Sequence, residues 1–193
     1  MRTRARIVEV TLSLLETRRL RELRVAEIAR AAEISTASFY VYFDDVIDVV
    51  LAALQEVGKI PDEILSLAAG PWAAKDAFAR SEALVKAYIR YWDGHRTLFR
   101  VRNLAAEEGD TRFAVAREQS ARPLLDALAQ QLGDGEYGLP FGVQAAATAG
   151  VLVAMLERLA AIAHVYAEFP PDEMVRSAAF LIASAMTAGR AAP

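Results

Sequence analysis

Residues 25–43 have the sequence VAEIARAAEISTASFYVYF, in which the apolar side chains are spaced as in two short helices joined by a tight turn. On the first helix, Ile28, Ala29 and Ala32 share the face that must meet the second helix. Ala29 is small enough for the two backbones to approach closely. Residues 33–34 are expected to form the turn, with the isoleucine as an apolar plug beneath it.

Ser35 is expected to begin the second helix, because its hydroxyl can accept a hydrogen bond from an unpaired backbone N–H. Phe39 and Phe43 are four residues apart and are expected to face inward. This arrangement is typical of a helix-turn-helix, which places its second helix in the DNA major groove. An ordinary amphipathic hairpin has the same spacing. The candidate DNA-contacting residues here are Ser35, Thr36, Ala37, Ser38, Tyr40 and Tyr42.

The net charge of −3 argues against nucleic-acid binding, but the charges are unevenly distributed. Residues 1–43 contain eight Arg and five Glu, whereas the remaining residues contain 14 basic and 20 acidic side chains. The positive end of the chain therefore coincides with the motif. Arg2, Arg4 and Arg6 are expected on a flexible arm before the first helix, where they would contact phosphates or a minor groove. A solvated terminus would have the same composition.

The 193 residues are 54% hydrophobic, with abundant alanine and few strand-like runs, which favours an all-α protein. Residues 137–156 carry no charge over a length that would span a membrane. Pro140, Gly142 and Gly150 interrupt that segment, so a buried helix and no membrane contact are expected. The N-terminal residues contain no apolar run typical of a signal peptide, and a cytoplasmic location is expected.

The residues that enzymes and metal sites use are scarce in this chain. It has no cysteine and only two histidines, His95 and His164. It also lacks zinc-protease, nucleophile-elbow, phosphate-loop and dinucleotide motifs. We therefore expect a protein that is not an enzyme and needs no cofactor or metal, with His95 in a capping or structural role. A cofactor-free helical enzyme is the less favoured alternative.

Periodicity and breaker residues predict a series of helices with no flexible linker between them. Gly58 is expected to end the fourth helix, and a loop is expected over 133–138. Besides the two short helices within 25–43, helices are expected over 3–17, 45–57, 61–68, 72–92, 96–107, 110–132, 140–168 and 171–189.

Residues 4–50 closely resemble the N-terminal domain of the tetracycline-repressor (TetR) family. The segments that carry the resemblance are Ala5-Arg6-Ile7, Ala26-Glu27-Ile28-Ala29, Ile34-Ser35 and Phe39-Tyr40-Val41-Tyr42-Phe43. The passage His95–Arg100 is similar to the start of a mid-body helix in many members. The resemblance implies an all-α fold with a three-helix DNA-binding head over 1–46. It implies a helical ligand-binding and dimerisation body over 47–193.

Two positions depart from the family's pattern. Val46 stands where members usually carry a lysine that contacts a phosphate, and Asp44 and Asp45 precede it. One of these carboxylates is expected to cap the following helix. Arg24 replaces a capping Thr or Ser before the second helix. We hypothesise that Arg24 and the N-terminal arm supply the missing phosphate contact.

The last two helices carry small and apolar residues on more than one face, so one face is expected to meet a partner. The resemblance implies that the partner is a second copy, in a four-helix bundle. A monomer with a fully internal core is the alternative. The residues expected at the dimer interface are Ala145, Ala149, Leu152, Leu156, Ala178, Leu181, Ile182 and Ala185.

The resemblance also implies a pocket in the body for a small-molecule effector. The expected lining residues include many aromatic side chains and no charged one, which suggests a largely apolar or aromatic ligand. Core packing is the favoured role for each aromatic side chain taken by itself. The expected lining residues are Trp72, Phe78, Tyr88, Tyr91, Trp92, Phe99, Asn103, Phe113, Gln144, Thr148 and Met155.

Together these features predict a ligand-responsive transcriptional regulator, most simply a repressor. It would bind a palindromic double-stranded DNA operator as a homodimer and be released by its effector. The second helix of the motif has no Arg, Lys, Asn or Gln, so reading would rest on hydroxyls, thymine methyl groups and DNA shape. We expect modest discrimination and strong salt dependence. The alternative is a helical small-molecule-binding protein that has lost sequence-specific DNA binding.

Overall fold

The computed structural model describes residues 2–133, 139–140, 142–163 and 170–188. All regular structure in these ranges is helical, which confirms the expected all-α class. A short 3-10 turn, Leu20–Glu22, lies between the first two helices. The α-helices are α1 Arg2–Leu15, α2 Val25–Ala31, α3 Thr36–Tyr40, α4 Val46–Val57, α5 Asp62–Ala69, α6 Ala77–Gly94, α7 Arg96–Glu107, α8 Thr111–Gly133, α9 Ala145–Ile162 and α10 Pro171–Thr187.

Packing divides the chain into two compact units. The N-terminal unit comprises Met1–Lys59 and His95–Glu118, and the C-terminal unit comprises Ile60–Gly94 and Gln119–Pro193. This grouping places α4 with the N-terminal helices, because α4 packs against α1 and α7. The domain boundary expected between residues 46 and 47 divides the chain by proposed function, whereas these two units are defined by packing. That boundary therefore stays a prediction.

In the N-terminal unit, α1 supplies an apolar stripe that packs against α4 and α2. Ile7 and Val10 of α1 are buried at helical spacing, and Val49 and Val50 of α4 are fully buried. Thr11 is also fully buried, and its hydroxyl donates to the Ile7 carbonyl oxygen over 2.8 Å. This bond satisfies the one polar group of the stripe within the helix itself.

In the C-terminal unit, α6 is the central helix and packs against α5, α9 and α10. Leu84 of α6, Leu156 of α9 and Ile182 of α10 are almost completely buried. Ala160 and Ala179 are fully buried as well, and their small side chains let neighbouring helices approach closely. The buried apolar residues of the last two helices therefore belong to the core of a single chain.

The C-terminal end of α5 is closed by side chains rather than by a conventional cap. Arg80 donates through Nε to the Leu67 carbonyl over 2.7 Å and through Nη2 to the Ser66 carbonyl over 2.6 Å. The Trp72 indole N–H donates to the Ala68 carbonyl over 3.0 Å. A Cβ on Gly70 would lie 1.7 Å from Arg80 Nη2, so only glycine leaves room for this arrangement.

Two expected helices begin later than the sequence suggested. The helix expected from residue 72 begins at Ala77, because the buried Trp72 is bonded to the end of α5. The helix expected from residue 140 begins at Ala145, because Gly142 has a φ of +83° and a turn closes from the Val143 N–H to the Pro140 carbonyl. Gly133, expected as the first residue of a loop over 133–138, is instead the last residue of α8. The rest of that loop and the helical residues expected over 164–168 lie outside the described residues.

Of the helices in the described ranges, only α9 has the length and hydropathy of a membrane span, with a mean hydropathy of 1.6. Its Leu152 and Leu156 are buried, and the helix packs against α6 and α10. A helix at the core of a protein passes the same test. Only 33% of this helix is buried, so the expectation of a buried helix holds for the face that packs in the core and not for the whole segment.

Candidate nucleic-acid interface

The turn between α2 and α3 is a Schellman motif, in which backbone N–H groups beyond the helix return to its last carbonyls. The Ile34 N–H donates to the Ala29 carbonyl over 2.9 Å, and the Glu33 N–H donates to the Arg30 carbonyl over 3.1 Å. Glu33 occupies the left-handed position with a φ of +59°, where glycine is usual. The expected turn over residues 33–34 is therefore confirmed, with a strained residue at its centre.

Ser35 caps α3, as its sequence position indicated. Its Oγ accepts a hydrogen bond from the Ser38 N–H over 3.0 Å. The two hydroxyl oxygens also lie 2.9 Å apart and share a hydrogen bond. Both serine hydroxyls thus have a partner within the protein, whereas the side chains of Thr36 and Tyr40 on the same helix are exposed.

Two aromatic side chains anchor α3 to the N-terminal unit. Phe39 and Phe43 are buried, and their ring centroids lie 6.0 Å apart. Tyr40, Val41 and Tyr42 between them are exposed, with Val41 at 77%. The inward orientation expected for the phenylalanines and the outward orientation of the tyrosines are both observed. The two buried phenylalanine rings therefore fix the position of the exposed side of the motif.

The arginines expected on a flexible arm lie instead within α1, which begins at Arg2. Arg4 forms a salt bridge to Glu56 of α4 at 2.8 Å and places its guanidinium 5.1 Å from the centre of the Phe43 ring. Arg6 pairs with Glu9 one turn later on the same helix, at 3.3 Å. These ion pairs and continuous helical backbone replace the expected arm.

Arg24 lies just before α2, where its exposed side chain is bonded to nearby backbone. Its Nη1 donates to the Arg21 carbonyl over 2.9 Å and to the Leu23 carbonyl over 3.1 Å. The Arg24 backbone N–H donates to the Glu27 carboxylate over 3.2 Å. Glu27, three residues into the helix, thus supplies the capping bond that an arginine side chain cannot accept.

Glu27 also joins the first part of the α1–α2 connection to α2. Its carboxylate forms a salt bridge with Arg18 at 3.0 Å, and Arg18 donates in addition to the Glu22 carbonyl over 2.9 Å. The hydrogen bond from Arg18 is the main reason that the pKa of Glu27 lies below its ordinary value. This carboxylate is therefore held ionised while it fixes the start of the helix-turn-helix.

The acidic pair before α4 serves as a cap. The Asp45 carboxylate accepts the Asp48 N–H over 2.7 Å, and Asp48 accepts the Asp44 N–H over 3.2 Å. The expectation that one of the two carboxylates caps this helix is confirmed. Val46, at the position of the family's usual lysine, is half-buried as the first residue of α4.

Sequence reasoning did not include every exposed residue of this surface among its candidates. Val41 was considered part of the recognition helix but was not among the candidate contact residues, although it is more exposed than either neighbouring tyrosine. Val41 lies one helical turn after Ala37, and this spacing could have identified it as a further contact residue. Arg19, Arg21 and Arg30 are also exposed on the same unit, and only the charge count had included them.

The residues expected to line a ligand pocket are divided between the two units. Phe99, Asn103 and Phe113 belong to the N-terminal unit, and the other eight belong to the C-terminal unit. Phe78 and Gln144 are exposed. Half-buried positions are Tyr91, Asn103, Thr148 and Met155, and buried positions are Trp72, Tyr88, Trp92, Phe99 and Phe113. Because five of these side chains are buried in the core of their own unit, core packing accounts for part of the set.

Two local clusters illustrate this packing. In the N-terminal unit, the Arg102 guanidinium lies 4.8 Å from the Phe99 ring centre and donates to Asn103 Oδ1 over 2.9 Å. His95 precedes α7, with its ring 5.7 Å from that of Phe99, and partial burial lowers its pKa. In the C-terminal unit, the Tyr88 and Tyr91 rings meet edge to face at 6.0 Å.

An open surface hollow of about 430 Å³ lies on the C-terminal unit between α6 and α10. Phe78 and Arg176 are among its lining residues, together with Ser177, Phe180 and Leu181. Of the residues expected to line the ligand pocket, only Phe78 lines this hollow. Phe78 and Phe180, the aromatic residues of the lining, are exposed. Within the ranges that the structure describes, no cluster of three or more His, Asp or Glu side chains is placed to bind a metal ion.

Comparison with known families gives a match over residues 65–183, to the model described as "Tetracyclin repressor-like, C-terminal domain". The matched range covers more than half of the chain and lies outside the helix-turn-helix. The chain belongs to the TetR family. Regulators of this family bind DNA and act as dimers. Comparison with curated proteins gives no match.

Solved structures of TetR-like proteins share this fold at low sequence identity. The fatty acid degradation regulator FadR from Bacillus halodurans is 17% identical, with 94% of each chain covered and a TM-score of 0.70. A TetR-family transcriptional regulator from Streptomyces coelicolor is 21% identical, with 98% of this chain and 82% of that chain covered and a TM-score of 0.71. A TetR-family regulator from Syntrophomonas wolfei is 18% identical, with coverage of 96% and 95% and a TM-score of 0.67.

In this TetR-like chain, most residues expected at a dimer interface lie inside a single copy. Ala145 and Ala185 are half-buried, and Leu181 is exposed. The buried residues of the set are Ala149, Leu152, Leu156, Ala178 and Ile182. The exposed apolar residues of the same two helices include Val151 on α9 and Phe180 on α10. A partner could therefore contact these exposed positions, whereas the buried ones already pack in the core.

Proposed function

We propose that this chain is a ligand-responsive transcriptional repressor of the cytoplasm. It binds a palindromic operator as a homodimer and leaves the operator when a small, largely apolar or aromatic effector binds. The observation that carries the proposal is the presentation of α3. Phe39 and Phe43 anchor this helix from below, Ser35 caps it, and its outer residues are exposed.

The proposed DNA contacts combine this helix with basic side chains around it. Residues 36–38 and the hydroxyls of Tyr40 and Tyr42 would meet base edges and phosphates. Arg2, Arg6 and Arg24 would contact phosphates, because they are exposed on the same unit. Arg4 is committed to Glu56 and Phe43, so we assign it a supporting role.

The proposed dimer uses the outer faces of α9 and α10. Val151 is 68% exposed, and Phe180 and Leu181 are also largely exposed. Exposed apolar residues grouped on two helices are typical of an interface. A two-fold pair would place two recognition helices in successive major grooves, about 34–36 Å apart. The operator would therefore be a palindrome with half-sites one helical turn apart.

The effector would shift the equilibrium between two arrangements of the helical body. When the spacing of the two α3 helices no longer matches the operator, both half-sites cannot be bound together and affinity falls. FadR from Bacillus halodurans, which shares this fold, is a fatty acid degradation regulator, so fatty acids belong in a first effector screen.

The decisive experiment is selection of bound sites from random duplex DNA by the purified protein at physiological salt, with non-specific competitor. We expect enrichment of a palindrome with the spacing given above. Ala37→Glu places a carboxylate on the exposed side of α3 and should abolish enrichment. Ala79→Glu adds the same charge to an exposed position of α6 and should leave enrichment intact. Absence of enrichment by folded wild-type protein would contradict the proposal and favour a ligand-binding protein without specific DNA recognition.

A further inference from the structure

The recognition surface combines exposed methyl groups with two serine hydroxyls that are already bonded within the protein. Residues 36–43 contain no Arg, Lys, Asn or Gln, which are the side chains that make bidentate contacts to bases. The hydroxyl groups of Ser35 and Ser38 are bonded to each other, and Ser35 also accepts a backbone N–H. A base edge would have to displace these bonds to use either serine.

Val41 is the most exposed large apolar side chain in the parts of the chain that the structure describes, at 77%. It is the C-cap residue of α3, one helical turn after the exposed Ala37, so the two side chains fall on the same side of the helix. Its branched side chain is stiff, so little rotamer entropy would be lost on contact. The net positive charge of residues 1–43 attracts a polyanion to the unit that presents this apolar pair.

In the major groove, the one apolar group on a base edge is the C5-methyl of thymine. We propose that Val41, with Ala37 beside it, contacts thymine C5-methyl groups, and that this contact is the main source of base discrimination at each half-site. The proposal rests on the proposed function, because it names what the recognition helix reads. Thr36 remains the hydrogen-bonding alternative on the same helix.

The test begins with the palindrome obtained by selection. Each thymine is replaced by deoxyuridine, one position at a time and in both half-sites, which removes the methyl group and keeps the hydrogen-bonding edge. Burial of one methyl corresponds to about 0.8 kcal/mol, or about a fourfold change in affinity. We therefore expect a roughly sixteenfold loss at the contacted position of the palindrome, where two methyls are removed.

Val41→Ala provides the residue-level test, since a side chain this exposed can be shortened without disturbing the fold. Wild-type and variant proteins are titrated with the thymine and deoxyuridine operators. The variant should bind the thymine operator more weakly and should lose most of the deoxyuridine penalty at the same position. Val143→Ala, an exposed valine outside the helices of the C-terminal unit, should retain the full penalty.

Three results would overturn the assignment. If the palindrome is enriched but every deoxyuridine operator binds like its thymine counterpart, DNA binding stands and methyl reading fails. If the penalty is present but unchanged in Val41→Ala, another side chain reads the methyl. If no sequence is enriched by the folded protein, the inference and the proposed function fail together.

Discussion

Arg4 in the first turns of α1 is joined to Glu56 near the end of α4 by a salt bridge of 2.8 Å. The same guanidinium lies 5.1 Å from the centre of the Phe43 ring, which supports α3 from behind. The Arg4 side chain thus connects α1, α4 and Phe43, one of the two buried phenylalanines that anchor the recognition helix. A residue that sequence reasoning assigned to DNA contact is in this structure part of the scaffold.

Substitution of Arg4 should therefore differ from substitution of Arg2. Arg4→Ala should lower stability modestly, by about 1 kcal/mol or less, because the salt bridge is largely exposed. It should leave the salt slope of DNA binding unchanged, whereas Arg2→Ala should reduce that slope by about 1. Binding titrations at several salt concentrations measure both. An equal loss of slope in the two variants would show that Arg4 contacts a phosphate after all.

Arg24 and Val46 bear on how the missing lysine contact is replaced. Only Nη1 of Arg24 takes part in the side-chain bonds recorded for the described residues, so a phosphate could still approach this guanidinium. Arg24→Ala should weaken operator binding and lower the salt slope by about 1, and Val46→Lys should strengthen binding and raise the slope by a similar amount. If Arg24→Ala changes neither affinity nor slope, the compensation hypothesis is wrong.

Glu33→Gly should stabilise the protein, because Glu33 holds a φ of +59° that costs an L-residue about 1–2 kcal/mol. Glycine loses more backbone entropy on folding, so we expect a net gain of about 0.5–1 kcal/mol in the free energy of unfolding. Glu33→Ala removes the same charge but keeps the strain. Urea denaturation compares the three proteins, and a gain as large for alanine as for glycine would assign the effect to charge.

Gly70→Ala should destabilise the C-terminal unit. Its new Cβ would overlap Arg80 Nη2 and displace a guanidinium that bonds the Ser66 and Leu67 carbonyls near the surface, at a cost of about 0.5–1.5 kcal/mol. Gly94→Ala is the matched control, since no atom lies within 4 Å of its added Cβ. Thermal unfolding of both variants and of Arg80→Ala checks this. The double variant Gly70→Ala with Arg80→Ala should lose less than the sum of the two single losses.

Glu27 should contribute to the acid sensitivity of the N-terminal unit. Its folded-state pKa is depressed below the ordinary value of 4.5, chiefly by the hydrogen bond from Arg18. The stabilisation is therefore present above pH 4.5 and is lost as pH falls through the lower folded-state pKa. Glu27→Gln should melt earlier than wild type at neutral pH, and the gap should close in acid. A gap that stays constant with pH would exclude ionisation as its cause.

The local features of this protein were readable from the chain because they depend on residues three or four positions apart. Such spacing predicts that Ser35 caps α3, that an aspartate caps α4 and that Gly58 ends α4. It also predicts the bounds of α7. The inward phenylalanines and outward tyrosines of the motif are of the same kind. Helical periodicity places these groups on one face without information from the rest of the fold.

Features that depend on distant contacts could be settled only by the tertiary structure. Arg4, which was expected on a flexible arm, pairs with a carboxylate 52 residues away in the sequence. Trp72, which was expected to begin a helix, lies before that helix and donates to the end of α5. On α9 and α10, several faces are apolar, and periodicity cannot say which of them meets α6. Packing buries Leu152 and Ile182 and leaves Val151 and Phe180 exposed, because a helix has one side nearest the core and only the assembled neighbours determine which side that is.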